Sequence, residues 1–193
     1  MFGPRRGADG NQEFVFPDWS PYTDLAEASQ AYFRDPEIAI EALTDVLGDR
    51  QVLGFTLERM VSDDGMVWQE AVVCDGSRIV LWHGEDVADE GYGGQAMTSA
   101  VRTVPLSRVT EVGYRSLLVR DGAEHRVQAV DVYVLLESVD ETAPGDRDGE
   151  QTTVIRHDAI RLGKSVEGGG GGQMERLLQF ARLIADLTGL PLT

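Results

Sequence analysis

The feature that most constrains this chain is a side-chain period of two that begins after Gln51 and continues through most of the remaining sequence. Its longest stretch places apolar side chains at Val130, Val132, Val134 and Leu136. Successive side chains of a β-strand point to opposite faces, so this period predicts strands that bury one face. The chain after Gln51 is therefore predicted to be mainly β.

The alternating segments are short and are separated by turn sequences, which predicts seven strands. Turns are predicted at Asp63-Asp64-Gly65, at Asp121-Gly122, and at Asp75-Gly76, where both residues accept the positive φ of a type I′ hairpin. Two acidic, glycine-rich segments, Gly84–Gln95 and Asp140–Glu150, interrupt the pattern. The predicted strands are Gln51–Glu58, Met66–Cys74, Ser77–His83, Thr98–Val104, Val109–Val119, His125–Glu137 and Gln151–Leu162.

Three segments have helical periodicity instead. The first is predicted over Ser20–Phe33. The second, Asp35–Leu47, begins with Asp-Pro-Glu, which supplies a capping side chain, a preset φ and a negative charge at the positive end of the helix dipole. The third, Gln173–Thr188, carries one apolar stripe and follows the glycine run Gly168–Gly172. Its apolar stripe must pack against another apolar surface.

This order of elements predicts an α+β fold. Seven strands joined by short turns favour an antiparallel meander, which should bend into a sandwich or partial barrel to avoid open edges. The C-terminal helix would cover one end of it. Residues 1–50 are predicted to be an N-terminal arm with a two-helix extension, and residues 51–193 to be the β domain. The sequence leaves open whether the extension packs on the β domain or acts as a separate docking arm.

Two stretches of sequence resemble a known family. Val72–Trp82 is similar to a strand–turn–strand of bacterial pleckstrin-homology-like (PH-like) domains, and Val104–Val112 is similar to their V/I-P-L-x-x-I-x-x-V stretch. The final helix also falls where theirs does. The resemblance covers about residues 51–188 and implies a seven-stranded partial barrel capped by a helix. The chain as a whole also resembles small uncharacterised conserved proteins of actinobacteria.

Composition narrows the classes of partner and location. The net charge of −16 argues against nucleic acid and anionic bilayers as partners, because both repel an acidic surface. The single cysteine, Cys74, allows no intrachain disulfide and is predicted to be a buried thiol. The sequence has no apolar run long enough to span a bilayer and no secretory signal pattern, so we expect a soluble, cytoplasmic protein.

Several short motifs partly match known phosphate-, anion- or metal-binding sites, but the sequence assigns none of them as a site. Gly163-Lys164-Ser165 resembles the end of a phosphate-binding loop, but Asp158 stands where that motif requires glycine. The run Gly168–Gly172 can hold an anion at a helix N-terminus but is more simply a flexible connector. The histidines are dispersed, and the two acidic segments lack the ligand spacing of a calcium loop. The residues considered as metal ligands are His83, His125, His157, Glu85, Asp86, Asp89, Glu90, Asp140, Glu141, Asp146, Asp148 and Glu150.

The sequence thus predicts no catalytic, cofactor-binding or metal-binding residue. We expect a non-enzymatic protein–protein interaction module that docks another protein, or a second copy of itself, on a strand edge or in the groove beside the last helix. The alternative is a metal-dependent, phosphoesterase-like hydrolase whose metal is held by a histidine and by the first acidic segment, with Asp86 and Asp89 required for activity. Phosphoinositide binding is not expected, because the predicted first loop, Val61–Gly65, carries aspartates where cations are needed.

Overall fold

The computed structural model describes residues 17–88, 96–122, 124–137, 139–143, 152–156 and 158–193. Three α-helices and nine β-strands lie in these ranges. The helices are α1 (Leu25–Tyr32), α2 (Pro36–Leu47) and α3 (Gly170–Thr188). The strands are β1 (Gly54–Val61), β2 (Val67–Cys74), β3 (Arg78–Val87), β4 (Ala96–Pro105), β5 (Val109–Asp121), β6 (Glu124–Leu136), β7 (Val139–Ala143), β8 (Thr152–Arg156) and β9 (Ala159–Ser165).

The strands form two main antiparallel sheets. The first has four strands in the order β1-β2-β3-β4, and the second has three in the order β5-β6-β9. Strands β7 and β8 pair only with each other. A short 3-10 turn, Leu106–Arg108, connects the two main sheets. Short connections between consecutive strands produce this antiparallel order, as the sequence predicts.

The inner core lies between the two sheets and α3. The alternating residues of β6 contribute Val130, Val132, Val134 and Leu136 to it, and all four are buried. The apolar stripe of α3 packs on the same core through Leu177, Phe180, Ala181 and Ile184, among others. The prediction that the C-terminal helix covers the β domain is therefore confirmed.

A second core lies on the outer face of the four-stranded sheet. Helices α1 and α2 cover this face with Tyr32, Ala39 and Leu43, which pack against residues such as Val80 and Trp82 of the sheet. Strand β2 is consequently buried on both faces, which explains why the run Ala71-Val72-Val73-Cys74 is apolar without alternation. Residues 17–50 thus pack on the β domain, which answers the question that the sequence leaves open.

Several predicted boundaries are wrong. The predicted strand Gln151–Leu162 is divided into β8 and β9, and β7 lies in a segment predicted as loop. Helix α1 begins after Asp24, whose carboxylate caps Glu27 N at 3.0 Å, and not at Ser20-Pro21. Strand β3 continues into the first acidic segment as far as Val87.

The hairpin between β2 and β3 differs from the prediction by one residue. Asp75 N donates to Arg78 O at 3.3 Å, so the two central positions are Gly76 and Ser77 and not Asp75 and Gly76. Gly76 has φ 88° and occupies the first central position, the place that glycine takes in a type II′ turn. The side chain of Asp75 is the reason for this placement, because it accepts hydrogen bonds from Ser77 and Arg78.

The sheets do not close into a barrel within the described residues. No ladder connects β1 to β9, the two edge strands that face each other across the open side of the sandwich. The prediction of an α+β fold with antiparallel sheets and a C-terminal helix is confirmed, and of the two predicted forms, sandwich or partial barrel, the open arrangement of two sheets is the sandwich.

Candidate interaction surface

The β5–β6 hairpin extends beyond the rest of its sheet. Strand β9 pairs with β6 between Ala129 and Leu135, so the far end of the hairpin has no third strand among the described residues. We call this end, together with the residues of β5 that lead into it, the ribbon: residues 115–120 and 124–127. A bulge between Leu117 and Leu118 lies within it and marks where the third strand ends. A two-stranded hairpin is marginally stable in water, so a projecting ribbon gains stability from any surface that covers it.

The ribbon exposes apolar side chains on both faces. Leu117 is 57% exposed, Leu118 54%, Val119 46% and Val127 40%. Leu118 pairs directly with Val127, which places these two on one face, whereas Leu117 and Val119, its neighbours along the strand, point to the other. Large apolar side chains clustered in this way are typical of binding surfaces.

The outer edge of β5 is already paired along its first part. The C-terminal segment runs parallel to β5: Thr193 N donates to Val112 O at 3.2 Å, and Tyr114 N donates to Thr193 O at 3.0 Å. Even-numbered residues of β5 therefore direct their main-chain groups outward. Beyond Tyr114, the outward groups of Ser116, Leu118 and Arg120 have no main-chain partner in the described part of the chain.

The ribbon carries more basic than acidic residues, although the chain as a whole is strongly acidic. It contains Arg115, Arg120 and Arg126 against the single acidic residue Glu124, whereas the whole chain has 33 acidic residues and 17 lysines and arginines. Arg115 is paired with Asp131, with 2.6 Å between Nη2 and Oδ2. A protein surface can therefore approach the ribbon without the repulsion that the rest of the molecule creates.

The groove beside the last helix is partly filled by the chain itself. It lies between α3 and the start of β1, where Arg176 stacks over the rings of Trp19 and Phe55 with centroid distances of 5.6 and 5.1 Å. Arg176 Nη1 also donates to the carbonyl of Tyr22 at 3.2 Å. The segment that precedes α1 thus occupies part of the groove that the sequence suggested as a docking site.

A cleft of about 600 Å³ lies between the edges of β1 and β9. At its inner end, the ammonium of Lys164 is 3.0 Å from Oε2 of Glu58, and the Lys164 side chain is 1% exposed. Burial lowers the pKa of Lys164 and raises the pKa of Glu58, while the attraction between the two opposes both shifts. The rings of Trp19 and Tyr32 lie 5.9 and 5.4 Å from the ammonium.

The ion pair with Glu58 accounts for Lys164 in the Gly163-Lys164-Ser165 motif, so a bound phosphate is not needed to explain that motif. Lys164 lies on β9 and points into the sandwich, so it is not at the start of a helix as a phosphate-binding loop requires. An inward-pointing charge on an edge strand is a known means of preventing edge-to-edge pairing. Glu58 on β1 has the same position on the facing edge.

The glycine run before α3 is not simply a flexible connector. The helix begins at Gly170, three residues earlier than predicted, so three of the glycines are helical. Gly169 and Gly170 have φ of 132° and 76°, which glycine adopts readily. A Cβ atom on Gly172 would lie 2.2 Å from Oγ of Ser20, so this glycine permits the close approach of the N-terminal segment.

Of the residues considered as metal ligands, His83 and Glu85 lie together on β3, with 3.4 Å between Nε2 and Oε2. His83 is on β3 and packs edge-on against Trp68, whereas His125 is on the ribbon. No group of three potential ligands occurs among the described residues. Predictions that involve Asp89, Glu90, Asp146, Asp148, Glu150 and His157 lie outside the described residues, as do the side chains of Asp140 and Glu141.

Asp86, which the hydrolase alternative requires as a ligand, has a structural role. Its carboxylate accepts hydrogen bonds from Arg34 Nη1 at 2.6 Å and from the main-chain amide of Val67 at 2.9 Å. It therefore links the junction of α1 and α2 to the edge of the sheet. These bonds lower the pKa of Asp86 and use its oxygens for the fold.

The prediction that Cys74 is buried is confirmed. Cys74 is fully buried in the inner core, and its burial raises the pKa of the thiol. A thiol with a raised pKa is a poor nucleophile. The side chain therefore contributes to packing.

The ribbon was not predicted from the sequence, although the sequence contains a signal for it. Leu117-Leu118-Val119 is a run of three apolar residues in a strand, which places apolar side chains on both faces. A strand with one buried face alternates instead. In β2, the same pattern indicates burial on both faces, so sequence alone does not separate a doubly buried strand from a doubly exposed ribbon.

No described helix has the combination of length and hydropathy needed to span a bilayer. Comparisons with protein-family models, with curated proteins and with solved structures found no match.

Proposed function

We propose that this protein is a non-enzymatic protein–protein interaction module that binds its partner through the ribbon. The observation that carries the proposal is the exposure of Leu117, Leu118, Val119 and Val127 on a hairpin that projects beyond its sheet. Main-chain pairing along a free strand edge supplies affinity, and side chains on the two faces supply specificity. A cytoplasmic location is part of the same proposal.

We also propose that the β domain belongs to the PH-like superfold. The resemblance implies seven strands followed by one capping helix, and this proposal takes the four strands of one sheet and the three of the other as those seven, with β9 as the seventh and β7–β8 as an insertion. Domains of this superfold carry diverse binding functions, so the fold agrees with an interaction role but does not select the partner. The β1–β2 loop, Ser62–Met66, carries Asp63 and Asp64, which argues against an anionic headgroup.

The proposal is tested by placing a charge on the ribbon. In cells that produce the protein, covalent cross-linking of the wild-type chain should yield defined adducts with protein, whether with other chains or with further copies of itself. The variant Leu117→Asp should lose most of these adducts, because an exposed carboxylate disfavours an apolar contact. Circular dichroism should show that the variant is folded, since Leu117 is more than half exposed.

Met60→Asp is the matched control. Met60 is 59% exposed and lies on β1 of the other sheet, so its replacement introduces the same charge at the same exposure away from the ribbon. It should leave the adducts unchanged. The proposal is wrong if the wild-type chain forms no adducts, or if both variants reduce them equally.

A further inference from the structure

The four edges of the two main sheets differ in how they are protected from pairing. Strands β1 and β9 carry the inward-pointing charges Glu58 and Lys164. Strand β4 is exposed from Thr98 to Thr103, where four of the six residues are polar, and it ends at Pro105. Charges and prolines of this kind prevent strand addition. The outer edge of β5 in the ribbon has Leu117, Leu118 and Val119 in succession, and it is the edge with the least such protection.

The part of β5 next to this free edge already accepts an added strand. The C-terminal segment pairs with Val112 and Tyr114, which shows that the edge is accessible and that its geometry suits a ladder. It also limits the registers open to a partner strand, because the outward N–H of Tyr114 already donates to Thr193. The outward groups still open to a partner strand on the ribbon belong to Ser116, Leu118 and Arg120.

These three residues are arranged symmetrically about Leu118. When two antiparallel copies of the edge meet with Leu118 opposite Leu118, Ser116 of each copy lies opposite Arg120 of the other. All three pairs are then hydrogen-bonded pairs, each of which exchanges two main-chain hydrogen bonds. Between them, Leu117 lies opposite Val119, at the closer spacing of a non-hydrogen-bonded pair.

We propose that the ribbon binds a second copy of this chain, with the two β5 edges pairing antiparallel about a two-fold axis at Leu118. This inference rests on the proposed function and names its partner. The pairing joins two three-stranded sheets into one continuous sheet of six strands and is self-complementary, as a two-fold interface requires. The arginines at position 120 face serine and not each other, so the register brings no like charges opposite.

Charge disfavours self-association through the acidic surfaces of this chain. Two copies of a chain with a net charge of −16 repel each other, and the ribbon, with three arginines and one acidic residue, reduces that repulsion locally. The dimer should therefore strengthen as salt is added, because salt screens the repulsion between the bodies more than it weakens main-chain hydrogen bonds.

The test is Leu118→Pro measured by sedimentation equilibrium over a wide range of protein concentration. Proline removes an outward N–H at the centre of the proposed interface, whereas the ladder between β5 and β6 uses the main-chain groups of Leu117 and Val119. The wild-type chain should reach twice the monomer mass, and Leu118→Pro should remain at the monomer mass. Leu118→Val keeps the donor and an apolar side chain and should form dimers.

Cysteine cross-linking tests the register without relying on the folding of the proline variant. Leu118→Cys should form an intermolecular disulfide under mild oxidation, because opposite residues of a hydrogen-bonded pair have Cα atoms about 5.5 Å apart, within the range of a disulfide. Ser116→Cys alone should not, since the two positions are separated by four residues, roughly 13 Å along the strand. Ser116→Cys combined with Arg120→Cys should restore the cross-link. Cys74 is fully buried, so it should form no disulfide in any of these cysteine variants.

The failure of this inference can be distinguished from the failure of the proposed function. A wild-type chain that stays monomeric, or a dimer that persists in Leu118→Pro, overturns the two-fold pairing. If Leu117→Asp nevertheless abolishes adducts with a different protein in cells, the ribbon is still the binding surface and the proposed function stands. A cross-link from Ser116→Cys alone contradicts the register.

Discussion

Asp75 organises the turn between β2 and β3 through four hydrogen bonds. Its carboxylate accepts from Ser77 N, Ser77 Oγ, Arg78 N and Arg78 Nε at 2.9, 2.8, 3.0 and 2.7 Å. Arg78 Nη2 also donates to the carbonyl of Val46 at 2.8 Å, near the end of α2. Desolvation raises the pKa of Asp75, but the hydrogen bonds from Arg78 and Ser77 outweigh it and lower the pKa to about 2.

We predict that Asp75→Asn destabilises the fold in a pH-dependent way. The pKa of about 2 lies below the ordinary value of 3.8, so the carboxylate stabilises the folded state above pH 3.8, and this contribution is lost as pH falls through 2. The free energy of unfolding in urea should be about 2 kcal/mol lower in the variant at neutral pH. The difference between variant and wild type should shrink toward pH 2.

Asp63→Asn is the control for this prediction. Asp63 is exposed in the β1–β2 loop, and exposed substitutions of this kind change stability by less than about 0.5 kcal/mol. The prediction is contradicted if the Asp75→Asn difference is the same at acid and neutral pH.

The pair Lys164–Glu58 is a second residue-scale feature with a measurable consequence. Removing one member leaves the other charge in a buried site, which in other proteins costs about 3–5 kcal/mol. Lys164→Met and Glu58→Gln should each lower the urea midpoint. Combining them should recover most of the loss, because the double variant buries no unpaired charge.

Arg161→Met provides the comparison for the lysine variant. Arg161 lies on the same strand but points outward and is exposed, so its loss should change the midpoint little. Strictly additive losses in the double variant would mean that Lys164 and Glu58 do not stabilise the fold as a pair.

At the scale of single elements, the start of α3 offers a matched pair of glycines. A Cβ atom on Gly171 meets nothing within 4 Å, whereas a Cβ atom on Gly172 meets Oγ of Ser20. Gly171→Ala should stabilise the protein by about 0.5–1 kcal/mol, because alanine restricts the unfolded chain and favours the helix. The Gly172→Ala variant should be less stable than the Gly171→Ala variant. Its new Cβ atom forces Ser20 to move, which weakens the hydrogen bond from Ser20 Oγ to the carboxylate of Asp18.

Thermal unfolding followed by circular dichroism measures this difference. Gly172→Ala combined with Ser20→Gly removes the obstructing hydroxyl and should regain the stability of the helix. Equal stability of the two single alanine variants would mean that the N-terminal segment does not pack on the first turn of α3.

Element types were predictable from the sequence wherever one face is buried. The alternation of Val130–Leu136 and the stripe of α3 each have a single apolar face, and both predictions are confirmed. Boundaries failed where a polar residue is used for structure: Asp24 caps α1, Asp75 shifts its turn, and Asp86 is part of β3. The ribbon was not predicted, because exposure of both faces depends on where β9 ends, which is a property of the tertiary fold.

The whole molecule has three layers: two helices, a four-stranded sheet, and a three-stranded sheet that is capped by α3. Its net charge of −16 lowers the stability of the folded chain, because repulsion between like charges disfavours the compact state. We predict that adding sodium chloride raises the melting temperature by about 2–5 °C, since salt screens these interactions. Sucrose at the same osmolality controls for effects of solute exclusion, and a melting temperature that falls with salt would contradict the prediction.

The double-sided burial of the four-stranded sheet gives the protein a built-in optical reporter. Of its three tryptophans, Trp19 and Trp82 are fully buried where the N-terminal segment and helices meet the sheet. Fluorescence emission therefore follows the attachment of this outer layer, whereas far-ultraviolet dichroism follows the strands and helices themselves. A red shift in emission that precedes the loss of ellipticity would show that the outer layer detaches while the inner sandwich is still folded.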